Sequence, residues 1–169
     1  MLKTERLIIT KFTLDMAYDV HINSLDDDMK KFMSDEVFET EEEARNIIEY
    51  LMEQYDGVEG PFVYPIILKE NNSNIGYVEM VKIEEGYEVG YHIAKQYTKC
   101  GYATEALTNI IPYMLDKFNI NILYGICLQD NIASSRVLEK SGFIKFFEGI
   151  SSYKGKEEKV YKYKYIKKS

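Results

Sequence analysis

The architecture of this chain can be inferred from Cys100-Gly101-Tyr102-Ala103-Thr104-Glu105-Ala106. The pattern predicts a tight turn that leads directly into a helix, with Glu105 in the first turn complementing the helix dipole. A second stretch, from Asn131 to Phe143, predicts an Asn-capped helix that closes at Gly142. A helix N-terminus presents unpaired N–H groups and a positive dipole end. Two such helix starts, about thirty residues apart, can hold a ligand with a long diphosphate-bearing arm.

The residues before this turn predict two helices and four strands. The first helix covers 15–25 and ends before a break at Asp26-Asp27-Asp28. The second opens at Thr40, which forms a capping box with Glu43. The four strands are expected at 7–12, 62–69, 75–83 and 87–94. Because Pro65 cannot donate a hydrogen bond to a neighbouring strand, its strand is expected at a sheet edge or at a bulge.

After the turn, helices and strands alternate along the chain. The helix at 102–118 contains Pro112, which predicts a kink or an earlier helix end. A strand at 122–128, the helix at 131–141 and two strands at 143–150 and 158–166 follow. The chain has no repeat and no linker rich in Pro, Gly or Ser, so residues 1–169 predict one domain.

The overall charge restricts the classes of partner. The formal net charge of −7 argues against nucleic acid, because binding to phosphates needs clustered Lys and Arg. An acidic protein instead favours a cationic partner such as a molecule that carries an amine. The basic run from Lys154 to Lys168 alternates as in a strand and is expected to form a solvated face. A homodimer is left open.

Short patterns bear on location and on metals. No apolar run approaches the ~20 residues of a membrane helix. The segment from Met1 to Arg6 lacks the apolar core of a signal peptide, so we expect a cytoplasmic protein without a membrane partner. Cys100 and Cys127 form no metal motif, and no metal is expected.

The order β, α, α, β, β, β, α, β, α, β, β and the two motifs together resemble the GNAT superfamily of N-acetyltransferases. The opening Thr4-Glu5-Arg6-Leu7-Ile8-Ile9 resembles the RimJ/RimL-like branch, which acetylates ribosomal proteins. The resemblance covers nearly the whole chain. It implies an α/β (α+β) GNAT fold, with helices on both faces of a mixed central sheet of about seven strands. It also implies acetyl-CoA as the cosubstrate.

In the GNAT superfamily, a loop of pattern Gln/Arg-x-x-Gly-x-Gly/Ala cradles the CoA pyrophosphate with main-chain N–H groups. The resemblance places this loop at 98–103, where Thr98 and Lys99 depart from the pattern. Asn131 resembles the residue that hydrogen-bonds the pantetheine arm. At His92 the backbone is expected to matter more than the ring. The full set of expected cofactor-binding residues is Tyr91, His92, Ile93, Thr98, Lys99, Cys100, Gly101, Tyr102, Ala103, Thr104, Asn131 and Ser134.

Acyl transfer to an alkyl amine needs a base, because the ammonium form has a pKa of about 10. Glu88 matches the carboxylate common in the fourth long strand of the family and is the first candidate, with Glu79 as the second. For both glutamates, a sheet residue paired with a Lys remains the alternative. By resemblance, Ser134 is the candidate acid that protonates the departing CoA thiolate. Gly90 is the expected site of a strand distortion that opens a gap for the cofactor arm.

The acceptor is the least determined part of the prediction. The acidic residues at 26–28 and 35–39 are expected to border its pocket and to attract a cation. A protein N-terminus, a polyamine and an aminoglycoside-like molecule are the candidate primary amines, each attacking acetyl-CoA directly. The alternative is a non-catalytic acyl-CoA-binding GNAT module, supported only by the departures at Thr98 and Lys99.

Overall fold

An eight-stranded sheet forms the centre of the structure, a computed structural model that describes residues 1–169. The strands are β1 (Leu2–Lys3), β2 (Leu7–Ile9), β3 (Phe62–Leu68), β4 (Ser73–Ile83), β5 (Gly86–Ile93), β6 (Ile122–Leu128), β7 (Ile144–Tyr153) and β8 (Lys156–Ile166). Their order across the sheet is β1-β2-β3-β4-β5-β6-β8-β7, and only β5 and β6 pair in parallel. The expected mixed sheet is confirmed, and the short β1 is an additional strand.

Five helices cover the two faces of the sheet. They are α1 (Ala17–Ser24), α2 (Asp27–Phe32), α3 (Glu41–Gln54), α4 (Tyr102–Lys117) and α5 (Ile132–Lys140). Alternate residues of β3 face opposite ways, so Phe62 joins the core beneath α4 while Val63 packs with Ile48 and Leu51 of α3. All seven residues of β3 are therefore buried. None of the helices combines the length and apolarity needed to cross a bilayer.

The two prolines affect the fold less than expected. The strand of Pro65 lies inside the sheet, so the expected edge position is wrong. The carbonyl of Pro65 accepts the N–H of Thr10, which lies just past the end of β2. The N–H that proline lacks would therefore face a residue outside β2, so no hydrogen bond between the two strands is lost. A register shift against β4 follows Pro65, as a bulge would. The helix α4 continues through Pro112, and the expected earlier end is wrong.

Burial explains why α4 tolerates its proline. A proline inside a helix costs about 3 kcal/mol. Around Pro112, α4 buries six apolar side chains. Burial of each large one stabilises the fold by roughly 1.5–3 kcal/mol. The packing term therefore exceeds the cost of the lost hydrogen bond.

The helices α2 and α3 both begin at a residue whose side chain caps the first turn. The Thr40 hydroxyl accepts the Glu43 N–H at 3.1 Å, and the Glu43 carboxylate accepts the Glu39 N–H at 2.7 Å, which confirms the capping box. The break at Asp26 is also present, but it opens a helix: the Asp26 carboxylate accepts the Met29 N–H at 2.8 Å and caps α2. The acidic run is thus partly used for capping.

β5 and β6 separate soon after they meet. Their ladder contains the single pair Glu88–Tyr124, whereas β6 pairs with β8 along its whole length. The register between β5 and β4 is continuous across Gly90, so the bulge expected there is wrong. Gly90 instead leaves room for the carboxyl group of Glu79, which an added Cβ would displace from its present position. The gap in the sheet therefore arises from diverging parallel strands.

Candidate active site

A cavity of about 220 Å³ opens where β5 and β6 separate. It brings together five of the predicted site residues, which are Glu79, Glu88, Tyr91, Asn131 and Ser134. Other lining side chains are Glu36, which comes from an acidic segment expected to border the acceptor pocket, and Cys127, Tyr153 and Lys154, which were not predicted to lie there. The predicted catalytic residues therefore line the same cavity.

The two candidate bases lie on the same face of the sheet. Glu79 on β4 is opposite Gly90 on β5, two residues from Glu88. Burial raises the pKa of Glu88 to about 7, with Lys154 opposing the shift. Burial raises the pKa of Glu79 to about 8, and the nearby Glu36 adds to the shift. Neither carboxyl group forms an ion pair, so the geometry does not support the Lys-paired alternative.

A third carboxyl group enters the cavity from the turn that follows α2. Glu36 accepts a short hydrogen bond from the hydroxyl of Tyr77 on β4. Burial raises the pKa of Glu36 above its ordinary value. The sequence predicts Glu36 only as one of the acidic residues at 26–28 and 35–39. Of these residues, Glu36 alone lines the cavity, and Asp27 pairs with Lys95 outside it.

The tip of the β7–β8 hairpin also reaches the cavity. Lys154 and Gly155 both have positive φ, of 50° and 78°, as a two-residue hairpin turn requires. The Lys154 Nζ lies 3.0 Å from Asp35 Oδ1, which joins the hairpin tip to the turn after α2. Lys154 is exposed, as expected for a solvated face, and it also lines the cavity. The Lys-Gly dipeptide between two β-rich runs is the signal that could have located this turn.

A pair of hydroxyl groups lies on the opposite side of the cavity. The Tyr91 Oη is 2.8 Å from both the Oγ and the carbonyl oxygen of Ser134. Burial raises the pKa of Tyr91 far above its ordinary value, and burial raises that of Cys127 to about 11. Both groups therefore stay protonated at neutral pH. The Asn131 Oδ1 accepts the Ser134 N–H at 3.2 Å, which confirms Asn131 as the cap of α5.

The main chain of β5 faces the gap at alternate residues. The Ala94 N–H donates to Ile75 of the β4 side, and the carbonyl of His92 also faces β4. Since successive residues in a strand point their N–H and C=O groups to opposite sides, Tyr91 and Ile93 face the gap left by β6. The geometry thus favours these two for main-chain contacts, and the expectation for the His92 backbone is wrong.

The ring of His92 lies on the same face of β5 as Glu88 and opposite to Tyr91, next to the start of α2. Its Nε2 is 3.2 Å from the Asp26 Oδ2, and both side chains are largely buried. Burial lowers the pKa of His92, with Asp26 opposing the shift. This pair ties the cap of α2 to β5 and thereby positions the turn that carries Glu36.

The loop before α4 displays free hydrogen-bond donors. The six main-chain N–H groups from Lys99 to Thr104 have no acceptor within the chain, and the first paired one belongs to Glu105. Lys99 and Gly101 have left-handed backbones, with φ of 63° and 82°. Such a run of N–H groups forms an anion-binding concavity. The Thr98 hydroxyl instead donates to the Lys95 carbonyl at 2.8 Å and supports the preceding turn.

These features can be compared with known proteins. Residues 6–144 match the family model described as "Acetyltransferase (GNAT) domain". The chain belongs to the GNAT acetyltransferase family. The predicted superfamily is confirmed. No group of three or more His, Cys, Asp or Glu side chains is arranged to hold a metal ion.

Relatives and solved structures agree with this assignment. The chain is 30% identical over 141 residues to the "uncharacterized N-acetyltransferase YnaD" of Bacillus subtilis, covering 82% of this chain and 79% of the relative. A GNAT-family acetyltransferase structure from Bacillus anthracis superposes with a TM-score of 0.82 at 28% identity, covering 98% and 97% of the two chains. The ribosomal-protein acetyltransferase RimL, solved with coenzyme A, has a TM-score of 0.82 at 17% identity, covering 97% and 96%, which shows a shared fold alone.

Proposed function

We propose that this chain is an acetyl-CoA-dependent N-acetyltransferase that acts on a cationic primary amine by direct attack. The observation that carries the proposal is the cavity at the gap in the sheet, which has the carboxyl groups of Glu79 and Glu88 on one side and the hydroxyl of Ser134 on the other. Membership of the GNAT family supports acetyl transfer. The coenzyme A complex of RimL, which shares the fold, supports the choice of acyl carrier.

The residues of the gap fit a ligand with a diphosphate and an extended arm. The free N–H groups of 99–104 would hold the diphosphate, as donors at a helix N-terminus do for anions. The main chain of Tyr91 and Ile93 would meet the arm. The side-chain amide of Asn131 has no acceptor in the chain and can donate to the arm as well. When bound, acetyl-CoA supplies the thioester carbonyl that the amine attacks.

Burial raises the pKa values of both carboxyl groups toward neutral pH, so either can accept the proton of an entering ammonium group. Position distinguishes the two. Glu88 lies on β5 at its single pair with β6, where the gap begins, whereas Glu79 lies one strand farther away on β4. Glu88 is therefore the base in this proposal.

Ser134 is the proposed acid on the opposite side. The protonated phenol of Tyr91 can donate to the Ser134 oxygen atoms and fix the orientation of the serine hydroxyl. The Ser134 hydroxyl would protonate the sulfur as the carbon–sulfur bond breaks. Glu88 takes one proton of the ammonium group, and the second proton that the nitrogen loses on forming the amide would restore the serine hydroxyl. A main-chain N–H of β5 near Ile93 would stabilise the oxyanion that forms on the carbonyl oxygen.

The charge of the cavity supports a cationic acceptor. Glu36, Glu79 and Glu88 line it, while Lys154 is the only lysine or arginine among the lining residues. Raised carboxyl pKa values mean that burial is incompletely compensated, so an entering ammonium group would be stabilised. A polyamine, an aminoglycoside-like molecule and a basic protein N-terminus all meet this requirement.

The test is thiol release from acetyl-CoA, measured over a panel of these three amine classes, with mass spectrometry of the products. We expect release that depends on an amine and yields an amine heavier by one acetyl group. A chain that binds CoA yet releases no thiol with any amine would instead be the non-catalytic acyl-CoA-binding module.

A further inference from the structure

Arg6, in the segment between β1 and β2, reaches the loop before α4. Its Nε donates to Glu105 Oε2 at 2.7 Å, and its Nη1 donates to the Cys100 carbonyl at 2.9 Å. Its guanidinium also lies over the ring of Tyr102, at 4.4 Å from the centroid. A side chain distant in sequence thus contacts three residues in or beside the segment with the free N–H groups.

The contact with the Cys100 carbonyl sets the direction of the next N–H group. In a trans peptide, the C=O and the following N–H point to opposite sides. Because Arg6 holds the Cys100 carbonyl on one side of the loop, the Gly101 N–H points to the other side. The left-handed backbone of Gly101 is part of the same turn. Arg6 therefore bears on which way the loop presents its donors.

The contact with Glu105 removes an unfavourable charge. Glu105 lies in the first turn of α4, beside the donors that would hold an anion. It also accepts hydrogen bonds from the Thr4 hydroxyl at 2.6 Å and the Arg6 N–H at 2.9 Å. Burial opposes ionisation of Glu105, yet the bonds from Thr4 and Arg6 outweigh it and lower its pKa. A lone carboxylate at this place would repel a phosphate, and the guanidinium offsets its charge.

We propose that Arg6 is a positioning residue for diphosphate binding, which orients the loop through Cys100 and neutralises Glu105. Arg6 acts from outside the loop. The family pattern has an Arg or Gln within the loop, at the position of Thr98. The inference rests on the proposed binding of CoA, and it assigns Arg6 no contact with the reacting atoms.

The experiment compares CoA with pantetheine, which has no phosphate, as ligands of wild type and Arg6→Gln. The Kd for CoA should rise about tenfold, because the variant loses both the contact that orients the Gly101 N–H and the charge that neutralises Glu105. The Kd for pantetheine should stay within about twofold, because it does not reach the loop. The double variant Arg6→Gln/Glu105→Gln should recover part of the CoA affinity, since the unneutralised carboxylate is gone.

The matched control is Lys167→Gln, which breaks the 2.8 Å ion pair between Lys167 and Asp116 near the other end of α4. It should leave the Kd for CoA unchanged. If Arg6→Gln does not fold, Arg6→Lys keeps the charge but cannot span both acceptors, and it should still bind CoA more weakly than wild type.

Unchanged CoA affinity in a folded Arg6 variant overturns the inference while leaving the proposed function intact. Equal losses for CoA and pantetheine also overturn it, because they indicate general damage. A double variant that recovers nothing overturns the neutralising role of Arg6. A wild-type chain that binds no CoA overturns the proposed function, and this inference with it.

Discussion

The two halves of the site are built from different parts of the chain. The loop at 99–104 is one short segment that offers exposed main-chain N–H groups. The side that we propose receives the acceptor collects side chains from four distant places, namely Glu36 after α2, Glu79 on β4, Glu88 on β5 and the exposed Lys154 at the β7–β8 turn. Main-chain donors survive most substitutions, so we expect the departures at Thr98 and Lys99 to leave cofactor binding intact. A side-chain group is lost when its residue is replaced, so single substitutions can change the charge and shape of the proposed acceptor side.

The largest effect is expected at Glu88. A base must be ionised to accept a proton, so kcat/KM should rise with pH through about 7, the pKa of Glu88 in the free protein. Glu88→Gln should remove this limb and lower kcat by about 10²–10⁴-fold. The measurement is the pH profile of kcat/KM for the acceptor. A limb that persists in Glu88→Gln but is lost in Glu79→Gln would make Glu79 the base and contradict the assignment.

A somewhat smaller effect is expected at Ser134. Ser134→Ala should lower kcat by about 10²-fold, since water can partly replace a proton donor. Tyr91→Phe removes only the group that orients the serine, so its loss of kcat should be smaller. Single-turnover kinetics on both variants checks this order. A greater loss in Tyr91→Phe would make Tyr91 the acid.

The cofactor half was largely predictable from the sequence. A glycine before an apolar helix marks a left-handed residue at a helix start, and Gly101 is one. The cap by Asn131 and the left-handed Gly142 after α5 were likewise local in sequence. Such features depend on a few neighbouring residues, which is why a pattern can identify them. Gly90 was misread because its role depends on Glu79, a residue on another strand.

The acceptor half could be predicted only in part. The resemblance to the family identified Glu88 as the first candidate base and left Glu79 as the second. The approach of Lys154 depends on the length of the β7–β8 hairpin, and that of Glu36 on the short helix α2. Both are set by tertiary packing, and no local pattern records which distant segment will lie above a strand.

The third effect probes the loop itself. Gly101→Val should raise the Kd for CoA about 30-fold or more, because a branched residue at φ of 82° carries strain of roughly 1–3 kcal/mol and disturbs the donors. Gly155→Val is the matched control, since Gly155 has a φ of 78° with open space around it. Calorimetric titration of both variants is the measurement. CoA affinities that fall equally in the two variants would show that the loop has no special role.

The smallest effect concerns the acceptor. Glu36→Gln should raise the KM of a cationic acceptor a few-fold, and the KM of wild type should rise with salt as exposed parts of the attraction are screened. Asp28→Asn is the control, because Asp28 is exposed on α2 and forms no ion pair. Steady-state kinetics at low and high salt gives both values. A KM unaffected by salt and by Glu36→Gln would remove the electrostatic role of the cavity.

The most direct test of the division between the two halves is titration of acetyl-CoA into the double variant Glu79→Gln/Glu88→Gln, paired with thiol release on the same sample. We expect the Kd for acetyl-CoA to match that of wild type while amine-dependent thiol release is lost. Weakened acetyl-CoA binding, or release at the wild-type rate, would contradict the assignment of cofactor binding to the main-chain loop and of proton transfer to the carboxyl groups.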